Sequence, residues 1–256
     1  MCRHAGHRIL MVKGISNRQH AGATAMKETI AIIGAADNMG SGIAYRLAAG
    51  GYRVLLADDI ENDLSPSIDM LAQLLTRIRC KMPLADVNVV FSPREACAEG
   101  DIIIPAVPHS AQAELARTIR HEAAGKIIIS LTNPLSETHD DPAAPPRLSA
   151  AEELARLLPQ STIVKAFNTI LASHFVMPRV AGQMLDVFVA GDDDEAVATV
   201  VRLVTDAGFN PLVAGKLSMS RTLEHMMALL ISLSAQNIFP GPPGWKVLSQ
   251  ATTEME

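Results

Sequence analysis

The sequence predicts an α/β protein with a doubly wound, mainly parallel sheet and a small helical segment at its C-terminus. Short apolar runs rich in β-branched residues alternate with segments of helical periodicity along most of the chain, which is typical of β-α-β units. Residues 101–107 are nearly all apolar, which indicates a parallel strand covered by helices on both faces. Residues 29–49 open the pattern and predict a strand, a tight glycine turn and a helix.

Composition and charge narrow the class of protein. The chain has 256 residues, a formal net charge of −5 and few aromatic residues, which argues against a nucleic-acid-binding surface. No apolar run approaches the roughly 20 residues that a transmembrane helix needs. Cys2, Cys80 and Cys97 are widely separated, so neither a zinc site nor a disulfide framework is indicated. We therefore expect a cytoplasmic protein with a small-molecule substrate and with neither a nucleic-acid nor a membrane partner.

Three regions of the chain differ in pattern. Residues 1–25 are polar and basic without periodicity, and we expect a disordered extension or a misassigned start ahead of Met26. Residues 27–215 carry alternating strands and helices, and the glycine turn near their start predicts a dinucleotide-binding domain. Residues 216–256 form a C-terminal helical segment, whose run at 218–234 is apolar nearly all round. Because such a helix needs cover on every side, we expect it to pack on the main domain, over the substrate, and on a second subunit.

The first glycine turn carries the strongest functional signal. An apolar run ends at Gly34, and Gly40 leads into helical spacing at 41–49. Glycines suit a tight turn where the backbone approaches a pyrophosphate, whose charge lies at the helix N-terminus. Asp37 stands where the pattern G-x-G-x-x-G has its middle glycine, so its carboxylate is expected to repel phosphate unless it turns away or caps the helix. The cofactor residues predicted here are Gly34, Ala36, Asp37, Asn38, Met39 and Gly40.

Two carboxylates follow the second predicted strand, at 52–57. Asp58 lies about 20 residues after the glycine turn, where an acidic residue typically accepts hydrogen bonds from the adenosine ribose. Asp58 and Asp59 together would also repel a ribose phosphate, and no arginine follows within the next few positions. The pair therefore favours NAD over NADP as the cofactor. The alternative is that Asp58 only caps the next turn.

Other predicted strands end at the same crevice, because parallel strands bring their carboxyl ends to one edge of the sheet. The residues that follow the fourth, fifth and sixth strands are therefore predicted to face the cofactor or the substrate. They are Val107, Pro108 and His109, then Thr132, Asn133 and Pro134, then Asn168 and Thr169. His109 is either a proton donor or, as we favour, a cap of the next helix. Lys165 lies within the sixth strand, where we favour a structural ion pair.

Two segments near the crevice lack periodicity. Residues 136–148 are proline-rich and acidic, and we expect either a mobile loop over the site or an inert surface loop. Trp245, the single tryptophan of the chain, lies in a segment rich in proline and glycine. It is expected either to fold back over a ligand or to anchor the C-terminus.

Several segments together resemble one family, the coenzyme F-420 (deazaflavin)-dependent NADP oxidoreductases, and the related dinucleotide-binding domain of the six-transmembrane metalloreductases. The matching segments are IAIIGAADNMGSGIAYRLAAGGYRV at 30–54, AVP at 106–108, TNPL at 132–135, SAAEELARLLP at 149–159, VKAFNT at 164–169, DVFVAGDDDEA at 186–196, GFNPLVAG at 208–215 and GPPGWKVL at 241–248. They span nearly everything from Lys27 to Leu248, and VKAFNT after a capped helix is the most specific of them.

The resemblance implies a Rossmann-type fold, a homodimer, and hydride transfer directly between a nicotinamide and a bound flavin or deazaflavin. Such a transfer needs two rings held face to face without water rather than a protein acid or base. The resemblance also implies that Ala166 and Asn168 lie at the nicotinamide and the acceptor. The chain departs from the family at Asp37, where the family has a glycine, and at Asp58 and Asp59, where a Ser-Arg pair commonly binds the ribose phosphate.

Two other functions stay open at this point. One is a β-hydroxyacid or imine reductase, which needs a proton donor in the cleft, with His109, Lys165 and His225 as candidates. The other is a catalytically inactive nucleotide sensor, which Asp37 favours. The acceptor is open as well, with a deazaflavin, a flavin, an imine or a keto compound as candidates.

Overall fold

A computed structural model describes residues 27–58, 64–134 and 148–249, with the backbone alone at 64–66. The expectations for residues 1–25, for Asp59 and for most of the loop at 136–148 concern residues outside this description. Within the described ranges, none of the helices is long and apolar enough to cross a membrane.

The strands form one large sheet and one small hairpin in the described ranges. In chain order they are β1 (Thr29–Ile33), β2 (Arg53–Ala57), β3 (Val87–Val89), β4 (Ile102–Pro105), β5 (Ile127–Ser130), β6 (Thr162–Lys165), β7 (Arg179–Val180), β8 (Gln183–Met184), β9 (Asp186–Gly191) and β10 (Asn210–Gly215). The large sheet has the order β10-β9-β6-β5-β4-β1-β2-β3. Strands β1 to β6 are parallel, whereas β9 is antiparallel to β6. The predicted mainly parallel, doubly wound sheet of Rossmann type is confirmed.

Helices cover both faces of this sheet. In chain order they are α1 (Asn38–Ala49), α2 (Leu64–Lys81), α3 (Pro93–Glu99), α4 (His109–Thr118), α5 (Ala150–Leu157), α6 (Asp194–Asp206) and α7 (Ser220–Ala235), with 3-10 turns at Ala172–Phe175 and Leu217–Met219. Ile30 and Ile32 of β1 pack into the apolar core on one face, and Ala31 and Ile33 pack into the core on the other. Burying each isoleucine stabilises the fold by about 1.5–3 kcal/mol. β1 is therefore a central strand, and its carboxyl end lies where the strand order reverses, between β1 and β4.

Two local features differ from the sequence prediction. Helix α1 begins at Asn38 rather than at residue 41, because the carbonyl of Asp37 already accepts the first helical hydrogen bond, from the Ser41 N–H at 2.8 Å. The β7–β8 hairpin was not predicted, and its two turn residues, Ala181 and Gly182, both have positive φ. Helix α4 begins at His109, directly after Pro108.

Helix α7 is covered on one face only within the described chain. Its buried face consists of Ser220, Leu223, Glu224, Met227 and Leu230. On the opposite face, Leu229 is 51% exposed. The expected docking on the main domain is therefore present, and the buried face includes the carboxylate of Glu224. Among the described residues, none covers the opposite side of α7 completely.

Candidate functional site

The glycine turn after β1 is held by backbone hydrogen bonds to both neighbouring strands. The N–H groups of Gly34 and Ala35 donate to the carbonyl of Ala57, the last residue of β2, at 3.0 and 3.1 Å. From the other side, the N–H of Ala106, directly after β4, donates to the Ile33 carbonyl at 2.7 Å. The sheet itself therefore fixes the shape of this turn.

Close packing requires two of the glycines in this turn. Gly34 has a φ of +83°, and a Cβ there would lie less than 3.0 Å from the carbonyl group of Ala106. A Cβ on Gly40, in the first turn of α1, would clash in the same way with the Gly34 carbonyl. Helix α1 therefore approaches the carboxyl end of β1 as closely as the glycine pattern predicted.

A cleft opens at the carboxyl ends of β1, β2 and β4. Its volume of about 360 Å³ lies near the lower end of the range for ligand sites. Seven predicted cofactor residues line it. They are Gly34, Ala36, Asp37, Asn38, Asp58, Val107 and Pro108. Two further residues line the cleft without having been predicted to do so, Ala106 and Met70 of α2. No motif marks Met70, because its place on the cleft depends on how α2 crosses the sheet.

Two carboxylates line this cleft. Asp37 is the N-cap residue of α1, but its carboxylate makes no capping hydrogen bond, so the capping role that the sequence allowed is not used. Asp58 follows β2 directly and reaches the same cleft. Met39 and Gly40, the other residues of the predicted glycine site, belong to the first turn of α1.

His109 begins α4, next to Pro108 on the wall of the cleft. The expectation that His109 caps this helix is wrong, because Pro108 occupies the N-cap position. The His109 Nε2 atom instead lies 2.8 Å from a carboxylate oxygen of Glu153 on α5. Both side chains are more than a third exposed, and a protonated imidazole would form an ion pair with Glu153 there.

At the carboxyl ends of β5 and β6, the space is filled by side chains of the protein. Lys165, the last residue of β6, is fully buried, and its Nζ donates to the Thr132 carbonyl at 2.5 Å and to Oε1 of Glu224 at 2.6 Å. The structural ion pair favoured from the sequence is confirmed. Burial lowers the pKa of the Lys165 ammonium group, and the charge of Glu224 opposes that shift.

Asn133 and Asn168 exchange two hydrogen bonds between the segments that follow β5 and β6. The Asn133 Nδ2 donates to the Asn168 carbonyl, and the Asn168 Nδ2 donates to the Asn133 Oδ1, each at 3.0 Å. Asn168 also donates to the Leu223 carbonyl of α7 at 3.0 Å. Asn168 and its neighbours Ala166 and Thr169 are fully buried. These three predicted substrate residues therefore pack within the protein and are not among the residues that line the cleft.

Phe167, two residues after β6, has a strained backbone. Its φ of +60° lies in the left-handed region, which costs a residue with a side chain about 1–2 kcal/mol. Its ring packs against Phe175 and Phe209, with ring centroids 6.1 and 6.0 Å away. This aromatic cluster stabilises the turn that places Asn168 against α7.

Trp245 lies in a C-terminal segment that is fixed to the start of β9. Its carbonyl accepts the Asp186 N–H at 3.1 Å, and the Asp186 carboxylate accepts hydrogen bonds from Lys246 Nζ and the Val247 N–H, both at 2.6 Å. Burial of Asp186 acts to raise the pKa of its carboxyl group, but these hydrogen bonds outweigh it and lower the pKa. Trp245 does not line the cleft, and the contacts of its neighbours favour the anchoring alternative.

Comparisons with known proteins find one family model and several relatives that resemble this chain in sequence. Residues 29–134 match a family model described as NADP oxidoreductase, coenzyme F420-dependent. The F420-dependent NADP reductase of Methanocaldococcus jannaschii is 27% identical over 211 residues, which are 80% of this chain and 92% of the relative. The metalloreductase STEAP3 of Rattus norvegicus is 29% identical over 219 residues, 85% of this chain, but the match spans only 38% of that protein.

Solved structures share the fold. A candidate F420-dependent NADP reductase from Arthrobacter sp. FB24 superposes with a TM-score of 0.69 at 24% identity, over 82% of this chain and 95% of that chain. An imine reductase variant from Myxococcus stipitatus, in complex with NAD+, superposes with a TM-score of 0.58 at 17% identity, over 82% of this chain and 62% of that chain.

Proposed function

We propose that this oxidoreductase transfers hydride directly between a nicotinamide dinucleotide and a small flavin-like acceptor. The match of residues 29–134 to the coenzyme F420-dependent NADP oxidoreductase model, which the resemblance predicted, supports the proposal. The main support is the cleft at the carboxyl ends of β1, β2 and β4. Its glycine turn is fixed by both neighbouring strands, and Gly34 and Gly40 leave no room for side chains. Such a turn, followed by a helix N-terminus, suits the pyrophosphate of a dinucleotide.

The residues of the cleft fit a dinucleotide. Backbone N–H groups of Asn38 and Gly40 in the first turn of α1 would hold the pyrophosphate, and Asp58 would accept the ribose hydroxyls. Val107 and Pro108 would border the nicotinamide half. When bound, the nicotinamide supplies or accepts the hydride. The role of the protein is to hold the nicotinamide ring against the acceptor and to exclude water from both.

The bound dinucleotide is NAD(H) rather than NADP(H) in this proposal. Asp58 lines the cleft, and a carboxylate there repels a phosphate on the ribose. The replacement Asp58→Ser with Asp59→Arg should shift the preference toward NADPH by about tenfold or more, because it exchanges repulsion for a phosphate-binding pair. The affinity ratio is measured by calorimetric titration with NADH and NADPH. Glu114→Arg on the exposed face of α4, which does not line the cleft, is the charge control, and an equal ratio in all three proteins would contradict the role of Asp58.

The acceptor is proposed to lie in the cleft, on the side that faces β5, with a deazaflavin or a flavin as its chemical class. Thr132, Asn133 and Pro134 follow β5 at the same edge of the sheet as the cleft. Because Ala166, Asn168 and Thr169 are buried, we assign them to the support of this region rather than to contact with the ring. We keep Trp245 as an anchor of the C-terminal segment.

The division of the chain is part of the same proposal. Residues 27–215 bind the dinucleotide, and residues 216–256 cover the site and contact a second subunit. The exposed apolar side of α7, with Leu229 at 51% exposure, supports a homodimer. Sedimentation equilibrium tests this, and Leu229→Lys should shift the protein toward the monomer if α7 forms the contact.

Label transfer tests the reaction. We expect the deuteride of nicotinamide-labelled NADH to appear on the ring carbon of a reduced deazaflavin, because a C–D bond there does not exchange with water. Loss of the label to solvent would contradict direct transfer. Tight binding of the dinucleotide without turnover of either acceptor would favour the nucleotide-sensor alternative instead.

One observation favours a second candidate function. His109 follows the cleft residue Pro108 and is paired with Glu153, which is an arrangement suited to proton donation in an imine reductase. In that case His109→Phe would abolish imine reduction and remove an ionisation from the pH profile of kcat. Under the first proposal, His109→Phe leaves hydride transfer to a flavin within about threefold of the unmodified protein.

A further inference from the structure

A buried ion pair joins four segments near the proposed site. Lys165 Nζ lies on β6, Glu224 lies on α7, and the Thr132 carbonyl follows β5. The second carboxylate oxygen of Glu224 accepts the N–H of Ala150, the first residue of α5, at 3.2 Å. Lys165 is fully buried and Glu224 is 6% exposed. One charge pair therefore fixes the relative positions of two strands and two helices.

Stability alone does not explain a pair of this kind. Removing both charges from water costs several kcal/mol per ion, and apolar residues of similar volume often stabilise a fold equally well. The pair does give a fixed geometry, because the ammonium group is held at the same time by a carboxylate and by a backbone carbonyl. Because that carbonyl belongs to Thr132, the ion pair fixes the position of Thr132.

A second set of contacts holds the same segment. Asn168 hydrogen-bonds to the side chain of Asn133 and to the carbonyl of Leu223, the residue before Glu224 in α7. Residues 132 and 133 are thus each tied to adjacent positions of α7. On the other side, the Thr132 Oγ1 lies 3.4 Å from the carbonyl of Val107, which lines the cleft. A continuous chain of polar contacts runs from α7 to the cleft wall.

We propose that Lys165 and Glu224 are positioning residues, which fix Thr132 and, through it, Val107 as the wall against which the nicotinamide half of the dinucleotide packs. The inference rests on the proposed function, since it assigns that wall to the nicotinamide. It predicts that the pair matters for the nicotinamide half and not for the ADP half, which would bind at Gly34 and Asp58.

The double variant Lys165→Met with Glu224→Leu separates positioning from folding, because it removes both charges and leaves neither unpaired. The probes are whichever of NADH and NADPH binds more tightly, and the matching ADP-ribose that lacks the nicotinamide ring. The affinity ratio of the dinucleotide to ADP-ribose measures what the nicotinamide half contributes. We expect this ratio to fall about tenfold in the variant, while the affinity for ADP-ribose stays within about twofold of that of the unmodified protein. Lys126→Met is the matched control, because Lys126 donates to the backbone carbonyls of Cys97 and Ala98 at the opposite end of the sheet, just before β5.

The outcomes are distinct. Failure of the unmodified protein to bind either probe overturns the proposed function and the positioning role with it. Binding of both probes, with the same affinity ratio in the double variant, overturns the positioning role alone. An equal loss of both affinities shows a general structural defect and also overturns it. If the double variant does not fold, amide hydrogen exchange of α7 in the unmodified protein supplies the test. We expect the dinucleotide, but not ADP-ribose, to slow this exchange. Equal slowing of the exchange by both ligands would contradict the coupling.

Discussion

The two halves of the carboxyl edge of the sheet are built on different principles. Around β1, β2 and β4, the chain leaves an open cleft, and its shape comes from backbone hydrogen bonds and from glycines that admit no side chain. Around β5, β6 and α7, the corresponding space is filled by a buried lysine, a buried carboxylate and two asparagines. The open half is ready to accept a ligand, whereas the filled half fixes the position of its neighbours.

Because of this difference, different kinds of substitution should destabilise the two halves. In the open half, an added methyl group blocks the turn, since the cost is steric. In the filled half, a lost partner leaves an unpaired buried charge, since the cost is electrostatic. A substitution series that compares the two costs tests this description directly.

The largest effect is expected from breaking the buried pair on one side. Lys165→Met should reduce the free energy of unfolding by about 3–5 kcal/mol, because Glu224 is left buried without its partner. Adding Glu224→Leu should recover most of that loss. Urea unfolding measures both, and a double variant as unstable as the single one would show that packing, not charge pairing, sets the cost.

The glycine turn comes next. Gly34→Ala should cost about 2–5 kcal/mol, since a Cβ would meet the Ala106 carbonyl in addition to the strain of a positive φ. Gly51→Ala is the matched control, because Gly51 has a similar φ of +80° and no atom within 4 Å of an added Cβ. It should cost only about 1–2 kcal/mol. Equal destabilisation of the two variants in urea would contradict the close approach at Gly34.

A smaller effect is expected from the charge in the open half. Asp37→Gly and Asp37→Asn should both tighten dinucleotide binding about fivefold at low salt, because a carboxylate lining the cleft repels the pyrophosphate. The gain should shrink as the ionic strength rises. Weaker binding of both variants by calorimetry would show that the Asp37 carboxylate makes a contact that the ligand needs.

The smallest effect lies on the outer side of the filled half. Hydrogen bonds from Arg221 lower the pKa of Glu152 from 4.5 to about 2, together with hydrogen bonds from Ser149. A lowered carboxyl pKa stabilises the fold above about pH 4.5 and loses that contribution as the pH falls toward 2. Arg221→Gln should therefore flatten the decline of stability between these pH values. An unchanged acid-unfolding profile would contradict the pairing of Arg221 with Glu152.

Local patterns predicted seven of the nine residues that line the open half. The apolar run, the glycine spacing and Asp58 all lie within one β-α-β unit, where sequence distance and spatial distance agree. The capping box of Ser149 and Glu152 at the start of α5 is likewise formed within four consecutive residues.

The filled half depends on contacts that a pattern cannot show. The ion pair of Lys165 was predicted, but its partner lies 59 residues later, on a helix that the sequence presented as apolar. The left-handed backbone of Phe167 is likewise imposed by packing among distant aromatic rings rather than by local preference. The open half has one such residue too, since Met70 of α2 lines the cleft although no sequence motif marks it.

Backbone amide signals of the protein titrated with a saturating nicotinamide dinucleotide test the central claim most directly. We predict shifts at residues 34–40 and at Asp58, with a higher melting temperature, because the ligand fills the cleft between β1, β2 and β4. Unchanged signals at these positions and an unchanged melting temperature would contradict dinucleotide binding, and the proposed hydride transfer with it.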